Sequence, residues 1–81
     1  MITFTGGTNN NEITGDGDLN IARDVINSES VQQNTVTIAD GASLITDADN
    51  LVTDTGVRNV GELEFTGGTN NNEITGDGDL I

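Results

Sequence analysis

The sequence predicts an all-β fold, a parallel β-solenoid of about four coils with about 20 residues per coil. Three observations predict it: a long exact internal repeat, short runs in which apolar and polar residues alternate, and a composition too lean for a conventional core. The segment FTGGTNNNEITGDGDL stands at Phe4–Leu19 and again at Phe65–Leu80, identical over sixteen residues and offset by 61. Repetition of this kind marks stacked architectures, in which each unit buries its apolar face against its neighbours. Only 32% of the residues are hydrophobic, and the aromatic content is two Phe with no Trp or Tyr. The large anchors that fill a small globular core are therefore missing. A solenoid needs only one or two apolar side chains per strand, because each coil pairs its backbone with the coils above and below.

Taken in order, the strand signals are Ile2 and Phe4 against Thr3 and Thr5, and Leu19 and Ile21 against Asp18 and Asn20. Val36 and Ile38 follow between Thr35 and Thr37, then Leu63 and Phe65 against Glu62 and Glu64. Leu80 closes the second block. The period of two places the apolar set on one face. Ile2, Phe4, Leu19, Ile21, Val36, Ile38, Leu63, Phe65 and Leu80 are thus the expected core and assembly residues. Clusters such as Gly6–Asn11, Gly15–Gly17, Asp40–Gly41, Asp47–Asn50 and Gly67–Asn72 supply the residue types that sharp corners require.

A Gly followed by a short step to Leu recurs at Gly17, Gly41, Gly61 and Gly78, at intervals of 24, 20 and 17 residues. One 61-residue period is therefore expected to hold three coils, with Ile2 equivalent to Leu63. The whole chain, 1–81, reads as a single module of one such period plus the repeated block. The stretch from Ile21 to Val31 also fits a short helix, with Asn20 as N-cap and Ile21, Ala22, Val25 and Ile26 on one face. Helix and strand both remain open there.

Fourteen acidic residues stand against two basic ones, Arg23 and Arg58, for a net charge of -12. That balance excludes binding to a nucleic-acid backbone, which Lys and Arg carry, and attraction to anionic membranes. Low hydrophobicity with high net charge points toward disorder. The alternating β-branched runs and the lack of Pro and Lys argue for order instead. Without Cys, neither disulfides nor thiolate zinc sites can form. No apolar run reaches the length of a membrane span, and Met1-Ile2-Thr3-Phe4 has no basic segment, so no signal peptide is visible.

The densest acidic clusters are Asn9–Glu12 with Asp16 and Asp18, and their copies Asn70–Glu73 with Asp77 and Asp79. Carboxylates in Gly-bent loops are hard ligands of the type Ca²⁺ accepts, which makes Asp16, Asp18, Asp77 and Asp79 candidate ligands. Neither the EF-hand spacing nor the Gly-Gly-x-Gly-x-Asp nonapeptide aligns with them, and corners use Asp without any ion. No other cofactor is expected. The Asn triplets are expected to be solvated, because copies about three coils apart cannot form a continuous amide ladder. An enzyme is not expected: His, Cys, Lys and Tyr are all absent. Most general bases and covalent nucleophiles go with them. Carboxylate pairs acting on a glycoside would need a longer groove than so few coils build.

The segments ITGDGDLNI (13–21), VTIADGASLIT (36–46) and GELEFTGG (61–68) resemble the repeats of bacterial autotransporter passengers and filamentous-haemagglutinin-like adhesins. The resemblance implies a parallel β-helix in an extracellular or cell-surface setting, working as a structural or adhesive rod. No polar end cap follows the last strand signal, since Ile81 comes directly after Leu80. Open strand edges invite pairing, so a filament of copies stacked head to tail is the alternative. A Ca²⁺-dependent binding module is the third.

Overall fold

The computed structural model describes residues 1–81, and every regular element except one short turn is a strand. The strands are β1 (Ile2–Phe4), β2 (Gly7–Asn9), β3 (Asp18–Ile21), β4 (Asp24–Asn27) and β5 (Val31–Ile38). They continue as β6 (Ser43–Thr46), β7 (Leu51–Asn59), β8 (Glu62–Phe65), β9 (Ile74–Thr75) and β10 (Asp79–Leu80). A 3₁₀ turn, Ala48–Asn50, precedes β7. Odd strands form one five-stranded sheet and even strands another, in the orders β1-β3-β5-β7-β9 and β2-β4-β6-β8-β10. All pairings are parallel. A chain that alternates between two parallel sheets and never reverses is a solenoid.

The coil has a third side. The first halves of β5 and β7 pair as Val31–Gln33 with Leu51–Thr53, and Ile13 bridges to Val31 one turn earlier. Between Gln33 and Thr35 the register slips, because Thr35 pairs with Gly56 and β7 carries an extra residue there. The irregularity bends these strands from the third side into the first sheet.

Side chains stack in columns along the axis. Ile2, Leu19, Val36, Val57 and Ile74 lie over one another, at steps of 17, 17, 21 and 17 residues. Val25, Leu44, Leu63 and Leu80 do the same in the second sheet, at steps of 19, 19 and 17. The longest step accommodates both the 3₁₀ turn and the extra residue of β7. Eleven apolar residues, among them Ile21, Val31, Ile38, Ala42 and Leu51, form one continuous core, thin and almost wholly aliphatic. Each fully buried Val, Leu or Ile contributes about 1.5–3 kcal/mol, so a few per turn offset only a fraction of an ordering cost of about 1–2 kcal/mol per residue.

One open choice is resolved and one sequence expectation is corrected. The stretch from Ile21 to Val31 is not helical: Ile21 ends β3, β4 occupies Asp24–Asn27, and Val31 opens β5. Val25 and Asn27 point inward while Ile26 is exposed, a period of two. The backbone of β4 lies between β2 and β6, and a helix there would leave both ladders without partners. The 61-residue period is also not three coils. Phe4 stacks on Ile21, Ile38 and Asn59, which takes it three turns along; Phe65 lies six residues further, on the next side. Ile2 therefore sits in β1 of the first sheet and Leu63 in β8 of the second.

Of the nine expected core residues, Leu19, Ile21, Val36, Ile38 and Leu63 are fully buried. Phe4 and Phe65 are half-buried against the core. Ile2 and Leu80 are 37% and 55% exposed, because each sits in an end rung with a neighbour on one side only.

Candidate functional site

The end rungs are set by the topology. β1 and β2 pair only with β3 and β4, and β9 and β10 only with β7 and β8. Each end therefore presents strand edges with one ladder unmade. Large apolar side chains are exposed beside these edges: Met1 and Ile2 at one end, Leu80 and Ile81 at the other. Further along the side walls only Ile26 and Val52 are comparably bare. Open backbone edges flanked by apolar side chains are what another parallel coil would cover.

A second feature is the acidic corner between the two sheets. The opening residues of β4, β6, β8 and β10 stack in register as Asp24, Ser43, Glu62 and Asp79. Ser43 Oγ donates to Asp24 Oδ1 at 3.0 Å, which ties the first pair. Asp24, Asp40, Glu62, Asp77 and Asp79 line one shallow open depression at this corner. In-register neighbours in a parallel sheet lie about 4.8 Å apart, so Glu62 and Asp79 repel each other through only a thin layer of water.

The four candidate Ca²⁺ ligands are not brought together. Asp77 and Asp79 belong to the depression, at the end of the solenoid formed by β9 and β10. Asp18 opens β3 and stacks on Thr35, and Asp16 lies in the turn before it. No group of three or more Asp and Glu side chains converges in a way that could hold an ion. Asp24, Asp40 and Glu62 were not legible as partners of Asp77 and Asp79, because strand register aligns Asp24, Glu62 and Asp79 and the adjoining corners bring in Asp40 and Asp77.

The third feature is a buried amide column, which corrects the expectation of a solvated triplet at Asn9 alone: Asn10, Asn11, Asn70 and Asn71 are exposed and Asn72 is half-buried. Asn9 is only 8% exposed, and its Nδ2 donates to Asn27 Oδ1 at 2.8 Å. Asn27 Nδ2 in turn reaches Thr46 Oγ1 at 3.2 Å and the Glu29 carbonyl at 2.7 Å. Asn9, Asn27 and Thr46 are aligned by the ladder of the second sheet. The partner of Asn9 thus comes from outside the repeated block. Asn59 occupies the column of Phe4, Ile21 and Ile38; its Nδ2 donates to the Asp79 carbonyl at 2.8 Å, and its buried Oδ1 has no partner.

No helix is long and apolar enough to cross a membrane. Comparison with protein-family models, with curated proteins and with solved structures gives no match to this chain.

Proposed function

We propose that this chain is a non-catalytic structural segment of an extended β-rod, which lengthens by the addition of further parallel coils at its end rungs. The observation that carries the reading is the pair of open ends, where β1, β2, β9 and β10 each have one ladder unmade beside exposed apolar residues. A single copy measures 26 × 24 × 22 Å and is nearly isometric, so any rod-like shape must come from stacked coils. The absence of His, Cys, Lys and Tyr supports a role without chemistry. The cell-surface, adhesive setting comes from the resemblance to autotransporter and haemagglutinin-like repeats.

Stacking of copies on one another, with β9 and β10 receiving β1 and β2, is the form of this reading that the isolated chain can express. Sedimentation velocity over a concentration series tests it. The expected result is growth in mass with a rising frictional ratio, the signature of end-to-end addition. A monomer that stays compact at every concentration would overturn the stacking. Repeating the series with millimolar Ca²⁺ tests the acidic residues: growth that requires Ca²⁺ would assign them to an ion-dependent contact, and identical curves would remove Asp16, Asp18, Asp77 and Asp79 from any such role.

A further inference from the structure

The identical blocks occupy different places in the coil, and this difference carries an inference independent of end stacking. We propose that the surface formed by residues 46–63, which residues 65–80 cover within one molecule, is also a binding surface for residues 4–19 of a second copy. Copies of the chain would then exchange coils through their shared sequence.

Each block makes one full turn. The first begins at the end of β1 and reaches Leu19, stacked on Ile2; the second begins at the end of β8 and reaches Leu80, stacked on Leu63. Each therefore runs through the same number of corners, entered one side apart. Both fold the same local turn. Asn9 Nδ2 donates to the Asn11 carbonyl at 2.8 Å and Asn11 N–H to Asn9 Oδ1 at 3.2 Å. In the second copy Asn70 and Asn72 repeat both bonds, at 3.1 and 3.0 Å. The turn is thus made by the block itself and not by the side of the coil on which it falls.

The glycines show that each copy fits the other's place. Gly6 has φ +132°, a conformation that strains any L side chain, whereas its counterpart Gly67 does not lie in that region. Gly78 has no room for a Cβ, which would overlap the Gly61 carbonyl oxygen. Its counterpart Gly17 would place a Cβ 3.3 Å from Gln33 Oε1 alone, a flexible neighbour. The first place requires a glycine that the second does not, and the second requires one that the first does not. The block carries both, in both copies.

The contacts that hold the second block are also available to the first. Asn72 Oδ1 accepts from the Thr53 N–H and hydroxyl, both at 2.9 Å, and its Nδ2 donates to the Leu51 carbonyl at 2.8 Å. Ile74 stacks on Val57. The corresponding residues are Asn11, exposed in its own rung, and Ile13. Within one molecule the covalently attached copy has the advantage of effective concentration, on the order of millimolar for a short connection. Exchange between identical elements adds no new interface to be built, so it proceeds once the attached copy is weakened or transiently opened.

Engineered cysteines in the full chain, which has none of its own, test this. Arg58 is in register with Thr75, whose counterpart in the first block is Thr14. In one molecule Thr14 and Arg58 are separated by β5, and β9 stacked on β1 of another copy does not join them. Only exchange places Thr14 of one copy beside Arg58 of the other, at a separation a disulfide spans. Thr14→Cys with Arg58→Cys is compared alone, with Gly78→Ala, and with Gly78→Ala plus Gly17→Ala. Gly78→Ala is expected to raise the 14–58 intermolecular disulfide at least tenfold, and Gly17→Ala to cancel the rise by spoiling the donor. No rise, or a rise that Gly17→Ala leaves intact, would overturn the proposal. If Gly78→Ala prevents folding, the two-cysteine chain with its glycines intact is opened in urea and refolded at high concentration. A 14–58 linked dimer is then the expected product, and only 14–14 or 58–58 links, or none, would overturn the exchange.

Discussion

Single residues decide whether so thin a core holds. Leu63 is completely buried between Leu44 and Leu80 in its column. Leu63→Asp would bury a carboxylate without a partner, a change expected to cost more than about 4 kcal/mol and to abolish the β signal in circular dichroism. An unchanged spectrum and urea midpoint in that variant would remove Leu63 from the core. Asn27 works in the opposite chemical sense. It accepts from Asn9 and donates to Thr46 and to the Glu29 carbonyl, so Asn27→Ala removes the donor from the Glu29 carbonyl and leaves Asn9 Nδ2 and Thr46 Oγ1 with one partner each, the Asn11 and Asp47 carbonyls. A loss of about 2–3 kcal/mol is expected in urea denaturation, more than the loss of one exposed hydrogen bond. The apolar half of this design was legible in the sequence, since Leu19, Ile21, Val36, Ile38 and Leu63 announce themselves by alternation. The amide column was not. Asn9 belongs to an exact repeat, and its partner Asn27 does not, so comparing the copies directs attention away from the residue that matters.

Elements owe their places to register more than to local preference. The segment from Ile21 to Val31 has apolar spacing that serves a helix or two strands, and the choice is made by β2 and β6, which offer β4 a ladder on each side. The 61-residue period misleads for a related reason. A sequence repeat measures where residues recur along the chain, while a coil is defined by which residues stack, and the steps of 17 to 21 residues do not divide the repeat evenly. The same stacking produces the acidic corner, whose carboxylates come from four different segments of the chain. Glu62 and Asp79 stand in register as like charges, a destabilising arrangement. Glu62→Gln is expected to raise stability by about 0.5 kcal/mol in low salt. The gain should shrink toward zero near molar salt, where the screening length falls to about 3 Å. A gain that persists in high salt would mean that packing, and not repulsion, is what the substitution relieves.

At the scale of the whole molecule, two opposing terms govern association between copies. Backbone edges and exposed Ile2, Leu80 and Ile81 favour contact at the ends, while a net charge of -12 on a body only about 25 Å across opposes it. The first term acts at van der Waals range and changes little with dilute salt. The second decays over about 10 Å at 0.1 M and about 30 Å at 0.01 M, so at low ionic strength it reaches across the entire neighbouring coil. End stacking should therefore strengthen as salt is raised, with most of the change between these two concentrations. Sodium chloride and tetramethylammonium chloride should act alike if screening alone is responsible. Sedimentation velocity at fixed protein concentration reads the outcome directly. Association that weakens with added salt would place attractive charge pairs at the contact, where Arg23 and Arg58 are the only cationic side chains that could supply them.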